Sequence, residues 1–539
     1  MNIITNKLLN RKNSLYIFLG AAALFFGALL FFIIQYNPGV SFDSISYLSA
    51  AQNFKEHGSL YVTAYGKKVP LVHFPPLYPC FIGGISFILN CTIQTASAVS
   101  GALLLSINIF LTGLILKKAK VSPEALFFAV VMTGISDFFF IIHAQVFTEP
   151  LYISFMLGAL LSLSEYFEHK KIRFIIISGL LISCAVLTRY AGLSILITGL
   201  TALLFMEESE PLSSRIKKSA LYFLLGFLPF LIWGIRNYSL AGSMTNRTIK
   251  CHIIGAGHLK QLIRTVLFIF LPDSILNHLK IYIYNNKITI TLIITVFSLF
   301  LIYFIWINLK KQSVEQIISS VRKLPYIVKT AFLYSLIYFI FLILSISFAD
   351  YTTPLSYRIM LPVFVLIFPI SLAGIYDYCN KNSGIKAAAA KIILWLFFIS
   401  YLFRFFSSAE NISTDGLDFS SKKWKRSYIT SFIRKLPESV HIYTNGGAGI
   451  YYQTGIITEP IPKKFKNGTF NSNYDKKLKK MAEQLKRREA VIIFYKQIPS
   501  SLLPKPDELK NKLNLTVIHD DDFGTILSAS AAVPRKSSP

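Results

Sequence analysis

The sequence predicts an all-α polytopic membrane bundle of about 11 transmembrane helices, N-terminus cytoplasmic, with a small α/β extracytoplasmic C-terminal domain. Three observations carry that expectation. The 539 residues are 53% hydrophobic and 15% charged, whereas a typical soluble domain carries about 25% charged residues; mean hydropathy is +0.52. The apolar residues come in blocks near the ~20-residue length that spans a bilayer, not in alternation. After residue 406 the blocks give way to short strand-like and helix-like patterns.

In order, the blocks are 15–35, 94–116, 124–142, 148–167, 172–187, 190–206, 218–237, 288–308, 326–348, 358–376 and 388–406. The first competes with a signal peptide. Its run Leu15–Ile34 is too long for a signal's apolar core and no small-residue cleavage site follows, so it reads as an uncleaved span. Segments 172–187 and 190–206 are short enough to be one kinked unit. Basic residues orient the spans. Lys7, Arg11 and Lys12; Lys117, Lys118 and Lys120; Lys170, Lys171 and Arg173; Arg215, Lys217 and Lys218; Lys310, Lys311, Arg322 and Lys323; and Lys381 and Lys386 all fall on one side of an eleven-span chain. That side is cytoplasmic by the positive-inside rule. The net charge of +28 therefore reads as topogenic charge and attraction to anionic lipid or lipid-linked substrates, and nucleic acid is not an expected partner.

The opposite side receives a first external loop (37–93), the segments 143–147, 238–287 and 349–357, and the tail 407–539. The expected division is a transmembrane domain, 1–406, and the extracytoplasmic domain, 407–539. In the tail, Val440–Tyr443 and Val491–Tyr495 read as strands, Ala448–Gln453 and Lys476–Arg488 as helices, Thr516–His519 and Gly524–Ser528 as a final strand pair, and 534–539 as a frayed end. The five cysteines show no metal or disulfide spacing and read as packing residues. A Cys80–Cys91 bridge stays open.

Three stretches carry candidate chemistry. From Asp43, the first external loop has helical periodicity with Tyr47, Leu48, Ala51 and Phe54 on one face, and Ser41 is placed to cap it. Asp43 is then an acid at the mouth of a bundle, or simply a helix-start carboxylate. Next, Leu71-Val-His-Phe-Pro-Pro-Leu-Tyr-Pro79 is too rich in proline for a regular helix and puts His73 and Tyr78 at the interface. Third, Glu149 opens the fourth span at its outer end, followed by Pro150. A carboxylate at that depth is a functional candidate or a helix-dipole partner.

In order along the chain, these motifs resemble the C-type (GT-C) glycosyltransferase superfamily. The likeness is to its dolichyl-phosphate-mannose-protein mannosyltransferase-like and lipid A aminoarabinose transferase-like branch. The acid–x–x–x–Tyr motif is Asp43 to Tyr47, and Pro75-Pro-Leu-Tyr-Pro79 returns the chain to the membrane. Glu149 stands in Thr-Glu-Pro-Leu. A Leu-Thr-Arg element follows at Leu187-Thr-Arg-Tyr190, and an Arg–x–x–x–Pro span start at Arg358 to Pro362. One departure matters: His73 and Phe74 stand where the aminoarabinose branch has Glu before Lys-Pro-Pro. That departure counts against lipid A aminoarabinose transfer and against a metal site built on that Glu.

The resemblance implies an integral membrane glycosyltransferase acting on the outer face; the few cysteines and short loops suit a bacterial inner membrane. The donor it implies is a sugar on a polyprenyl phosphate; the acceptor is a lipid, glycan or protein. Asp43 is the expected general base and Glu149 its assistant. Arg189, Arg236 and Arg358, at external span ends, suit a phosphate because a guanidinium stays charged and donates paired hydrogen bonds. Tyr190 and Tyr357 stand beside two of them, and Tyr47, His73 and Tyr78 complete the expected substrate-binding set. No cofactor is assigned. A divalent metal stays open, with His73, His143, His252 and Glu149 as candidate ligands that no ligand spacing supports. The rival readings are a lipid-linked glycan transporter or flippase, a polymerase or ligase, and a non-catalytic scaffold.

Overall fold

The computed structural model describes residues 12–270 and 314–530, except 36–37, 65–66, 208, 248, 253, 352, 467–468 and 499–501. The expected span at 288–308, the end of segment 238–287 and the frayed end 534–539 lie outside the described residues. The chain forms two compact units. One takes the chain up to Ile33, Leu71–Phe81 and Val99–Glu410; the other takes Ile34–Pro70, Ile82–Ala98 and the chain from Asn411.

In chain order come α1 (Lys12–Ile34), α2 (Phe42–His57), the hairpin strands β1 (Tyr61–Ala64) and β2 (Lys67–Pro70), and α3 (Leu77–Ile88). Then follow α4 (Ile93–Lys118), α5 (Pro123–Gly134), α6 (Asp137–His143), α7 (Glu149–His169), α8 (Ile172–Thr188), α9 (Leu193–Phe205) and α10 (Leu212–Ala241). The apolar part ends with α11 (Ala256–Phe270), α12 (Val314–Lys323), α13 (Tyr326–Phe348), α14 (Tyr357–Lys381) and α15 (Ile385–Asp415).

Among the described residues, seven helices are long and apolar enough to span a membrane: α1, α4, α7, α10, α13, α14 and α15. The protein is a polytopic integral membrane protein. Three of the expected spans differ from straight helices. Segment 124–142 is the pair α5 and α6, bent by 55°. Segments 172–187 and 190–206 are the shorter helices α8 and α9.

The bend has a physical cause. Gly134 ends α5 against the Phe26 ring, where a Cβ would overlap it. Asp137 then opens α6 and meets Arg404 of α15 in a two-bond pair, Nε to Oδ2 at 3.0 Å and Nη2 to Oδ1 at 2.9 Å. Both side chains are buried. A lone carboxylate here would be far more costly than the lost helical turn. Arg404 Nη1 also donates to Phe268 O at 2.8 Å, tying in α11.

The joint between α8 and α9 is equally specific. Arg189 is extended (φ −148°, ψ 136°) and a 3-10 turn, Tyr190–Gly192, restarts the helix. A Cβ on Gly192 would lie 2.6 Å from Val186 N, so glycine is what lets the chain fold back so tightly.

In the loop after α1, Ser41 caps α2, its N–H donating to Ser44 Oγ at 3.0 Å. The β1–β2 hairpin was not expected from sequence. Nor was helix within the proline-rich stretch: α3 starts at Leu77, with Pro79 in the first turn, where a missing N–H costs nothing. Tyr78 is 2% exposed, so it packs inside instead of lying at an interface. Cys80 and Cys91 are both free thiols.

The second unit continues from residue 411 with α16 (Lys422–Arg426), α17 (Tyr428–Arg434), β3 (His441–Thr444), α18 (Gly447–Thr454), β4 (Glu459–Pro460), β5 (Phe465–Lys466), β6 (Thr469–Phe470), α19 (Tyr474–Lys486), β7 (Ala490–Tyr495), α20 (Pro506–Leu513), β8 (Thr516–Asp520) and β9 (Gly524–Ser528). Five strands form a sheet in the order β4-β3-β7-β9-β8. The pairs β4–β3 and β3–β7 are parallel; β7–β9 and β8–β9 are antiparallel. Central β7 is buried along its whole length, which explains its unbroken apolar run. α19 lays Leu478, Met481 and Leu485 into the core with Ile492, Phe494 and Leu527.

The buried pair makes a testable claim. Asp137→Leu, which strands Arg404, should cost about 3–5 kcal/mol of stability, and adding Arg404→Met should recover most of it. Thermal unfolding in detergent reads both; a wild-type melting temperature for the single variant would show that the pair carries no stability.

Candidate active site

Glu149 is the first residue of α7, preceded by Thr148 and followed by Pro150, whose missing N–H suits a first helical turn. The carboxylate is 1% exposed. Its Oε1 receives two guanidiniums: Arg189 Nη1 at 2.6 Å, from the α8–α9 joint, and Arg358 Nε at 2.6 Å, from the first turn of α14. Thr148 Oγ1 accepts from Arg189 Nη1 at 2.7 Å and donates to Oε2 at 3.3 Å. The Arg358 guanidinium lies 3.8 Å from the centre of the Phe147 ring. Three chain breaks thus meet at one carboxylate. Two guanidiniums are thus held side by side on one carboxylate oxygen. That is suited to an incoming anion.

The proline-rich strap is held by a second set of contacts. Arg236 Nη1 donates to Leu71 O at 2.6 Å and to Asn237 Oδ1 at 2.8 Å, and its guanidinium packs on Trp233. Tyr190 Oη donates to Val72 O at 3.4 Å. These two residues therefore fix backbone, although both were expected to touch substrate. His73 meets Phe74 edge to face at 4.7 Å.

Tyr357 stacks on Phe268 with ring centres 5.6 Å apart. Together with Gln261, Arg264, Thr265, Pro354 and Ser356 they line a cleft of about 300 Å³, near the lower end of small-molecule sites. One wall is a single stripe of α11 at helical spacing, Gln261, Arg264, Thr265 and Phe268. Aromatic rings beside amide, guanidinium and hydroxyl groups make a surface that suits a sugar ring.

In the other unit, Asp43 stands in the first turn of α2, half-buried, and Tyr47 one turn later is buried. The helix is braced by the hairpin: Thr63 N donates to Ser49 Oγ at 2.7 Å and Asn53 Nδ2 donates to Tyr61 O at 3.1 Å.

Among the expected metal candidates, His143 is corrected. It is buried with both ring nitrogens engaged, Nε2 with Asn108 Nδ2 at 2.9 Å and Nδ1 with Phe139 O at 2.8 Å. The grouping of ligand-type side chains among the described residues is elsewhere, at Glu165, Glu168 and His169. Lys118 already bonds both of those carboxylates, at 2.6 and 2.8 Å.

Sequence reasoning missed the Asp137–Arg404 pair, although both charges fall inside expected spans, 124–142 and 388–406. Two intramembrane charges of opposite sign were the available signal. It also missed Thr148 and Phe147, which shape the Glu149 cluster and carry no signal of their own.

The cluster predicts its own fragility. Glu149→Gln removes the charge that both guanidiniums bond and should cost about 3–5 kcal/mol, read as a lowered melting temperature in detergent. An unchanged melting temperature would mean that the arginines do not depend on the carboxylate.

Comparison with known proteins bears on this arrangement. Residues 73–233 match the family model described as dolichyl-phosphate-mannose-protein mannosyltransferase. The fold is similar to that of ArnT from Cupriavidus metallidurans bound to undecaprenyl phosphate, with a TM-score of 0.52 at 12% identity, covering 97% of this chain and 99% of that one. ArnT in the apo state gives 0.52 at 11% identity, covering 96% and 98%. The archaeal oligosaccharyltransferase AglB from Archaeoglobus fulgidus, in complex with an inhibitory peptide and a dolichol-phosphate, gives 0.49 at 12% identity, covering 89% and 69%. By sequence alone, no curated protein matches.

Proposed function

From the premise that this chain belongs by fold to the GT-C glycosyltransferase superfamily, we propose that it transfers a sugar from a polyprenyl-phosphate donor to a lipid, glycan or protein acceptor. The transfer takes place on the extracytoplasmic face of a bacterial inner membrane. The observation that carries the reading is the convergence of Arg189 and Arg358 on the buried Glu149 carboxylate.

That geometry favours a phosphate site over a base at Glu149. A carboxylate that already receives two guanidiniums and a hydroxyl has little capacity left to take up a proton. Its service is to aim the arginines before substrate arrives, which lowers the ordering cost of binding. The phosphate of a lipid-linked sugar then meets two guanidiniums held in place. This changes the expected role of Glu149 from orienting the acceptor or the donor sugar to positioning phosphate ligands.

Asp43 remains the assigned general base. The acceptor oxygen attacks the anomeric carbon as its proton passes to the Asp43 carboxylate. The bond from that carbon to the phosphate oxygen breaks, and its electron pair leaves on the polyprenyl phosphate. Attack opposite the leaving group inverts the anomeric carbon. Arg189 and Arg358 stabilise the charge that grows on the leaving phosphate. The cleft beside Tyr357 is assigned to a sugar ring.

The test is transfer of labelled sugar from polyprenyl-phosphate donors in membranes. Asp43→Asn keeps size and hydrogen bonding but removes the base, and should lower transfer about 10²–10⁴-fold at normal protein levels. Wild-type transfer by this variant would remove Asp43 from the chemistry. Orientation has a separate readout. In a variant retaining only Cys251, which is exposed, a membrane-impermeant maleimide should label intact spheroplasts. Labelling only after lysis would invert the assigned topology.

A further inference from the structure

We infer that Phe419 is a positioning residue for Asp43, and that the C-terminal sheet sets where the Asp43 helix begins. The inference rests on the reading of Asp43 as the general base. All of its contacts lie within one compact unit.

The residues just before Asp43 are docked on the chain that follows α15. Val40 pairs with Asp418 in a parallel bridge. Phe419 N donates to Val40 O at 2.9 Å. The rings of Phe42 and Phe419 meet edge to face at 4.9 Å and 80°. The start of α2 is therefore tied to this chain by a backbone hydrogen bond and an aromatic contact, and Asp43 is the next residue after the ring that makes it.

Phe419 is in turn fixed from behind. It is buried and lies edge to face on Trp424 at 5.0 Å. Trp424 stacks on Tyr495 at 4.4 Å and meets Phe523 at 5.2 Å. Tyr495 closes β7, and its backbone is gripped by Asn445, which donates from Nδ2 to Tyr495 O at 3.0 Å and accepts from Tyr495 N at 2.8 Å. Gly449 leaves the room for this stack: a Cβ there would lie 2.5 Å from the Trp424 ring and 2.9 Å from the Phe419 ring. Gln453 Nε2 donates to Phe419 O. The line of contact runs from the central strand through three packed rings to the first turn of α2.

A base works only within hydrogen-bond reach of its proton, and a displacement of about 1 Å can cost about 10²-fold in rate. A stack of rigid rings suits that task, because aromatic side chains have few rotamers to hop between. The tail therefore sets a distance in the loop that carries Asp43.

Phe42 offers a clean probe because its side chain is 51% exposed, so removing it should not unfold the protein. Phe42→Ala should lower kcat about 10- to 100-fold with donor and acceptor KM within about twofold and an unchanged melting temperature. Phe42→Tyr, which keeps the ring, should restore kcat. In the double variant with Phe419→Ala, the loss should not exceed that of Phe419→Ala alone, as expected for two residues acting through one contact. Wild-type kcat in Phe42→Ala would overturn the proposal, as would losses that add in the double variant. Asp43→Asn, measured in parallel, separates the two ideas. If it abolishes transfer while Phe42→Ala is normal, the base stands and the positioning role falls. If it transfers normally, the base reading falls and takes this inference with it.

Discussion

Taking a carboxylate out of water costs several kcal/mol, and Glu149 recovers that only because Arg189 and Arg358 reach the same oxygen. Much of the local architecture follows from that requirement. Arg189 can arrive only if the α8–α9 segment breaks, so an extended residue and a glycine-dependent turn interrupt what would otherwise be one helix. Arg358 can arrive only if α14 begins at this level. Glu149 must itself sit at the start of a helix. The surrounding polar contacts then secure the helices that carry these ends. Asn108 of α4 donates to Pro150 O at 2.9 Å, and Tyr152 of α7 pairs with Tyr334 of α13 at 2.9 Å. A bundle of apolar helices has little else to fix register, since lipid and leucine are equally greasy.

The outer arginines divide by partner. Arg189 and Arg358 face a carboxylate, and Arg247 meets Asp350 at 3.0 Å. Arg236 grips main-chain oxygen at Leu71 instead. An arginine bonded to a backbone carbonyl shapes a loop, whereas two arginines on one acid are held side by side. Residue type alone could not separate those uses, because Arg189, Arg236 and Arg358 sit at comparable span ends in the sequence.

The legible and illegible parts of the sequence differ for physical reasons. Apolar blocks announced the spans because lipid tolerates little else, and the short apolar run at Val491–Tyr495 announced β7. Ser41 was readable as a cap because capping is a local affair. The proximity of Glu149 to Arg189 and Arg358 depends on folding over separations of 40 and 209 residues, which no local pattern encodes. The 55° bend at Gly134 was hidden because 124–142 is apolar throughout, and its cause, a partner 267 residues away, lies outside any window. Tyr78 looked like a belt residue because burial is a property of the neighbours, not of the tyrosine.

The Asp137–Arg404 pair has a consequence for biogenesis. The chain grows from its N-terminal end at about 5–20 residues per second, and 267 residues separate the two partners. Asp137 therefore leaves the ribosome on the order of 13–50 s before the guanidinium that will neutralise it. During that interval the α5–α6 segment must enter the bilayer with its carboxyl protonated, or wait at the headgroup level with the acid in water. α15, the last of the long apolar helices described, then brings Arg404 to the carboxylate. Insertion of the third apolar segment is thus completed by the last.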